Sequence, residues 1–247
     1  MRPPLQPALA DLLSYLGEMG YGDLYVKASQ TPAHAQRAPV SPQPATAVAA
    51  PIPLSGEAAE RASELAALAS AAAGCTRCRL SEGRSKVVFG CGNPAAELMF
   101  VGEGPGAEED RQGVPFVGAA GELLTRIIQA INKTRDEVYI ANVVKCRPPG
   151  NRDPQPDEVT ACRGYLDRQI ALVRPRVLVA LGKVAAQTLL GNDSPIGRMR
   201  GQWFRVQGIP TMVTYHPAAL LRNPALKRPT WEDMQQVRDL LRSGLSA

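Results

Sequence analysis

Residues 97–132 read ELMFVGEGPGAEEDRQGVPFVGAAGELLTRIIQAIN, and three patterns follow one another within them. Glu97–Gly102 is a short apolar run, the pattern of a fully buried strand. Glu103–Gly118 is polar and rich in glycine and proline, as a loop requires. Ala119–Asn132 returns to apolar residues at helical spacing. The same succession then recurs. Glu137–Val144 is a second strand, followed by a long loop through Pro148, Pro149 and Pro154 and a helix over Pro156–Val173. Arg176–Leu181 is a third strand with a helix at Lys183–Leu190, and Pro210–Thr214 is a fourth. Trp203–Val206 adds a short edge strand, and Trp231–Arg242 closes the chain as a helix. Upstream, the alanine-rich stretch Glu57–Ala73 reads as a helix ending at Gly74. Strands separated by helices need crossover connections. The expected fold is therefore α/β, three layers α/β/α around a central, mainly parallel four-stranded sheet.

In open parallel sheets, ligands bind outside the carboxyl ends of the strands. Three distinctive loops follow such ends: Glu103–Gly118, Asn142–Pro149 and Tyr215–Pro224. They lie far apart in sequence and are expected to share one cleft.

The chain has 247 residues, enough for one good-sized domain with appendages. It contains no run of 18 apolar residues, so no spanning helix is expected. Met1-Arg2-Pro3-Pro4 lacks the apolar core of a signal peptide, which points to a cytoplasmic protein without membrane contact. The net charge of +5 is uneven: residues 1–73 carry 4 basic and 6 acidic groups, residues 74–247 carry 24 and 17. A basic folded region suits a polyanionic partner, although solubility alone also accounts for it. Residues 1–56 read as an N-terminal extension and 57–247 as the folded domain. Residues 7–26 form a possible short helix, with Leu9, Leu12, Leu13 and Leu16 on one face. Residues 28–55 hold six prolines, eight alanines and one firm charge, Arg37, and are expected to be a disordered tether. The leading helix either docks a protein partner or packs on its own domain.

Four cysteines stand out: Cys75 and Cys78 as a C-x2-C pair, then Cys146 and Cys162. In a chain without a secretory leader this spacing favours metal binding over disulfides. Four thiolates suit structural zinc and an iron–sulfur cluster alike. Cys91, between Gly90 and Gly92, lies outside that framework. The first loop, Gly102-Glu103-Gly104-Pro105-Gly106, lacks the G-x-G-x-x-G spacing and so disfavours a dinucleotide enzyme. Its small residues let the backbone approach a planar ligand closely, while Glu108, Glu109 and Asp110 read equally well as a solvated face. His216 is the only histidine of the expected folded domain and directly follows a strand, a position suited to catalysis. Leu220, Leu221 and Arg222 form a candidate wedge, apolar groups for a base stack beside a cation for phosphate. Both leucines read equally as core.

These residues together carry a resemblance. Glu103 in Gly-Glu-Gly-Pro-Gly, Pro115-Phe116-Val117-Gly118, Asn142-Val143-Val144-Lys145-Cys146-Arg147-Pro148-Pro149 and His216-Pro217-Ala218-Ala219-Leu220-Leu221-Arg222-Asn223-Pro224 resemble family 4, the iron–sulfur branch, of the uracil-DNA glycosylase superfamily. The likeness runs from about Cys75 to the last helix and leaves residues 1–56 uncovered. Each motif alone is weak; the ordered set is specific.

The resemblance implies a monomeric DNA-repair enzyme, nucleoid-associated through its substrate. It would flip uracil out of DNA and hydrolyse the N-glycosidic bond. It implies that Cys75, Cys78, Cys146 and Cys162 hold a [4Fe–4S] cluster anchoring the loop between the last two. It casts His216 as the donor to the departing base's O2, worth about 3–4 kcal/mol. Phe116 would stack on the base, for about 1–3 kcal/mol, and Asn142 would read uracil's O4 and N3–H while rejecting cytosine. Glu103, with Gly104, either positions the attacking water or shapes the base pocket, with Asp110 second in line for water or loop support. Leu221 and Arg222 would fill the gap left by the base, and Gly182 and Lys183 would bind phosphate at a strand-to-helix junction. Three rivals remain in view: a branch member that traps the sugar covalently, a zinc-stapled nucleic-acid module, and a nucleotide-dependent oxidoreductase. The first is disfavoured because Arg147–Ala161 contains no histidine and no basic insert.

Overall fold

The computed structural model of the chain describes residues 56–244. The possible helix over 7–26 and the tether over 28–55 lie outside the described residues. Among the described residues fifteen elements other than single 3-10 turns follow one another. They are α1 (Gly56–Ala73), α2 (Leu80–Gly83), β1 (Cys91–Gly92), β2 (Leu98–Gly102), α3 (Ala107–Gln112), α4 (Ala119–Ala130), β3 (Tyr139–Asn142) and α5 (Pro156–Val173). Then come β4 (Val177–Leu181), α6 (Lys183–Leu190), α7 (Ile196–Met199), β5 (Trp203–Val206), β6 (Ile209–Thr214), α8 (Pro217–Arg222) and α9 (Lys227–Arg242).

The strands form one sheet in the order β1-β3-β2-β4-β6-β5. The inner four are parallel, with Val101 opposite both Ala141 and Ala180, and Ala180 opposite Val213. The short strands β1 and β5 pair antiparallel at the two edges. The expected four-stranded sheet is thus corrected to six. At two residues β1 is too short to show any period, whereas β5 was expected at the residues it occupies. β2 and β4 are buried at every position, which is why they read as apolar runs without alternation. One face of the sheet, through Met99, Val101, Ala141, Leu178 and Ala180, joins a core with Leu65 of α1, Leu166 and Ile170 of α5 and Ala185 of α6. The alternate residues Phe100, Ile140 and Val179 are equally buried, as are Leu123, Leu124 and Ile128 of α4 and Met234 and Val237 of α9. Each such side chain contributes about 1.5–3 kcal/mol by leaving water.

Two boundaries differ from the sequence reading in instructive ways. β3 ends at Asn142 rather than Val144, because Val143 and Val144 donate to the carbonyls of Gly102 and Glu103 as the chain leaves the sheet. α9 starts at Lys227 rather than Trp231: Pro229 sits in its first turn, where the missing N–H has no helical partner to lose. Two of the expected loops also contain six-residue helices, α3 and α8, too short for a periodic pattern to appear. The chain goes from β2 to β3 on one side, then crosses to β4 on the other. That reversal opens a crevice at the carboxyl ends of β2 and β4.

Candidate active site

A cleft of about 640 Å3 lies at this crevice and is lined by all three loops. Glu103, Gly104, Phe116, Asn142, Gly182, Lys183, His216 and Arg222 all border it. Of the expected contact residues, Leu221 is absent from the lining, although it stands 45% exposed on the same helix as Arg222. Leu220 is fully buried and belongs to the core, which removes it from the wedge.

Phe116 and Asn142 occupy the floor. Phe116 is buried although its backbone φ is +55°, a left-handed conformation that is uncommon for a bulky residue and signals a position fixed by its surroundings. A Cβ on Gly102 would stand 2.5 Å from Asn142 Oδ1 and 2.6 Å from Phe116 Cζ, so only glycine lets both side chains reach this spot. Asn142 is buried, and its Oδ1 has no hydrogen-bond partner. Leaving a buried acceptor unpaired costs about 1–3 kcal/mol. Such an atom facing a cleft is set up for a ligand N–H.

His216 caps the N-terminus of α8, and its Nδ1 accepts the N–H of Ala218 at 3.1 Å. Its ring centre is 5.5 Å from that of Phe116, with the planes tilted by 32°. Burial and then the Arg222 charge push its pKa down to about 4, against a smaller opposing effect of Glu109. The imidazole is therefore neutral at pH 7. Because Nδ1 accepts, the single proton sits on Nε2, and the ring can offer one N–H donor. Gly182, with φ +89°, admits this ring: a Cβ there would meet His216 Cβ at 2.9 Å. The Gly182 N–H itself donates to Thr214 O at 2.9 Å, so it is not available to a phosphate as the sequence reading expected.

The strand end that carries His216 is braced from behind. The fully buried Asp233 of α9 accepts the Thr214 hydroxyl at 2.7 Å and pairs with Arg200. Arg200 also donates to Pro229 O at 3.0 Å.

Glu103 faces the other side of the cleft. Burial first, then the negative charge of Asp153, raise its pKa to about 7, and Lys183 opposes them. Lys183 and Asp153 are themselves paired at 2.9 Å across the mouth. Lys183, expected to meet phosphate, thus has an acidic partner in this structure.

The acidic run after the first loop is not a solvated face. Glu109 Oε1 accepts the N–H groups of Val117 and Gly118, each at 2.9 Å, while Oε2 accepts that of Gly106 at 3.1 Å. It thereby clamps the turn that presents Phe116. The buried Asp110 accepts Ser85 N at 2.9 Å and does not line the cleft, so its role is loop support. Only Glu108 fits the solvated reading, paired with Arg111. The one local signal that separates Glu109 from Glu108 is its place three residues after Gly106, the capping-box position; the rest of the clamp depends on N–H groups eight and nine residues away.

A second cavity is lined by Cys75, Cys78, Cys146 and Cys162 together with Arg77, Arg84, Lys145 and Tyr165. The thiols are free, and Arg84 reaches Cys146 Sγ at 3.3 Å and Cys75 O at 2.6 Å. Among the described residues no three His, Cys, Asp or Glu side chains converge at the spacing of a single metal ion. Cys91 sits apart, on β1.

A profile of the Uracil DNA glycosylase superfamily matches residues 89–235. The chain is 48% identical to a type-4 uracil-DNA glycosylase of Sulfurisphaera tokodaii over 175 residues, 67% of this chain and 80% of that one. It is 44% identical to the type-4 enzyme of Thermotoga maritima over 174 residues, 68% of this chain and 90% of the relative. A type-5 uracil-DNA glycosylase of Pyrobaculum aerophilum is 32% identical over 163 residues, 59% of this chain and 71% of its own.

Proposed function

Since the chain belongs to the uracil-DNA glycosylase superfamily, we propose that its cleft receives a uracil flipped out of DNA and that the enzyme hydrolyses the N-glycosidic bond. Free uracil and an abasic site are the products. The observation that carries the substrate reading is the unpaired, buried Oδ1 of Asn142. Uracil offers an N3–H donor to this acceptor and an O4 acceptor to the amide NH2. Cytosine turns an acceptor toward Oδ1 and a donor toward the NH2, so both contacts become repulsive. Phe116 stacks on the base, and the cleft walls exclude water from its faces.

As the bond lengthens, negative charge gathers on the uracil ring. The neutral His216 donates its Nε2 proton in a hydrogen bond to O2, where the charge develops. An imidazolium is not needed, and the site disfavours one. Glu103 orients or deprotonates the attacking water. With a pKa of about 7 it is poised near neutral pH, where a general base works best. Arg222 and the exposed Leu221 meet the DNA beside the flipped base. No helix among the described residues is long and apolar enough to cross a membrane.

The four cysteines fit an iron–sulfur cluster better than zinc. They surround a volume, and no three converge as a tetrahedral ion requires. Cys75, Cys78, Cys146 and Cys162 would hold it. When bound, the group supplies a staple joining the end of α1, the loop after β3 and the start of α5.

The activity is tested by incubating the protein with a uracil-containing oligonucleotide and treating the product with alkali. Strand scission at the uracil position is expected, with none at cytosine in the same context. An intact strand overturns the reading. The pH profile tests Glu103. Single-turnover rates should rise with pH through about 7 as Glu103 ionises, since His216 titrates near 4 and adds no limb above that. Asp153→Asn removes the charge that raises the Glu103 pKa and frees Lys183 to lower it further. The acidic limb of that variant should therefore move to lower pH. A limb that stays in place, or that survives in Glu103→Gln, assigns it to another group.

A further inference from the structure

Between the thiol cavity and the base-reading floor lies one buried cation. Lys145 is 2% exposed, and its Nζ donates to the main-chain carbonyl of Asn142 at 2.6 Å and to Gln169 Oε1 at 2.5 Å. The orientation of Gln169 is set independently, because its Nε2 donates to Phe89 O at 2.9 Å and Tyr139 OH at 3.2 Å. Both acceptors of the ammonium are therefore neutral. Among the described residues no carboxylate pairs with Lys145, and the Phe89 ring, 5.8 Å from Nζ, is a weak substitute. A buried ammonium without an anion is strongly disfavoured. An ammonium also carries three N–H donors, and only two have acceptors here.

The missing anion is at hand in the thiol cavity, which Lys145 lines together with Cys75, Cys78, Cys146 and Cys162. Arg84 approaches Cys146 and Arg77 flanks Tyr165, both on partly exposed sides of that cavity; Lys145 is the cation buried on the side of the cleft. We propose that Lys145 is the counter-cation of the thiolate-bound cluster and, through the same ammonium, the positioning residue that holds Asn142 for reading uracil. The proposal rests on the cluster assigned under Proposed function. It makes one buried charge serve both cavities.

Two variants of the holoenzyme separate the two jobs. Lys145→Met removes the charge while keeping an unbranched chain of similar length. Gln169→Glu keeps the ammonium on Asn142 O but places a carboxylate beside it. Reduction adds a negative charge to a cluster, so cancelling a neighbouring positive charge favours the oxidised form. Both variants should therefore shift the cluster's midpoint potential, measured by voltammetry, to more negative values. Single-turnover release of uracil should fall about 10- to 100-fold in Lys145→Met, the range for one charge-assisted hydrogen bond. In Gln169→Glu, which keeps the ammonium on Asn142 O but loses the Nε2 donor to Phe89 O, the fall should be smaller than in Lys145→Met.

Potentials unchanged in both variants overturn the counter-cation role. A wild-type rate in Lys145→Met overturns the positioning role. A merely structural disturbance would lower rate and yield in both without a common shift in potential. Should Lys145→Met fail to fold, Gln169→Glu still decides the charge pairing. Iron analysis and violet-edge absorbance of the wild type are measured first. A protein without iron refutes the cluster itself, and the counter-cation role with it, leaving positioning to be decided by the rates.

Discussion

His216→Ala lowers the single-turnover rate of uracil release about 10²–10³-fold, the range for removing one donor aimed at charge that forms in the transition state. Affinity for uracil-containing DNA changes far less, because phosphate contacts supply most of it. The measurement is made at fixed salt with enzyme in excess, which keeps product release out of the rate. The site also sets a finer expectation. Nδ1 is occupied by the Ala218 N–H, so only Nε2 can donate, and the ring is neutral down to about pH 4. His216→Gln retains an N–H donor without a titrating ring and should recover part of the loss. Wild-type cleavage by His216→Ala would remove the third loop from the chemistry. Lost binding with normal cleavage of bound substrate would make His216 a DNA-positioning residue instead.

Asn142→Asp produces the second large effect, at least about 100-fold at neutral pH, since a polar site that mismatches its substrate loses far more than an apolar one. The position is 1% exposed, so a carboxylate there is desolvated. When ionised it turns an acceptor, in place of the amide donor, toward O4 and repels the charge building on the departing ring. Burial raises the carboxyl's pKa, and the protonated form regains one donor. The deficit of this variant relative to wild type at the same pH should therefore shrink as the pH is lowered, while protonation of Glu103 slows both proteins alike. A variant that is equally impaired at every pH would show that shape at residue 142, rather than donor pattern, decides recognition.

Much of this was legible in residue order alone. Apolar runs without alternation announced strands buried on both faces, and the parallel sheet then required three distant loops to meet at one edge. Glu103, Phe116, Asn142 and His216 do meet there. What stayed hidden depends on neighbours that only folding supplies. Lys145, between Val144 and Cys146, carries no mark in the sequence that separates it from any other lysine, yet it is buried against Gln169 from a helix 24 residues on. Asp233 reads as one acid in a charged helix, while its partners Thr214 and Arg200 come from other elements. The strand β1 and the helices α3 and α8 are too short for any period to declare itself.

The two glycines bordering the cleft floor and the histidine bear on how such a site can vary over time. Alanine is a single-nucleotide change away from glycine, so the smallest step available to drift is one methyl group. At position 102 that methyl lands on the base-reading amide and the stacking ring, and at 182 it lands on the Cβ that carries the imidazole of His216. Neither step alters a reactive group, and each displaces one. The cleft is thus inherited as hollows as much as side chains, and a survey of tolerated substitutions would find glycines 102 and 182 nearly as unforgiving as the residues beside them.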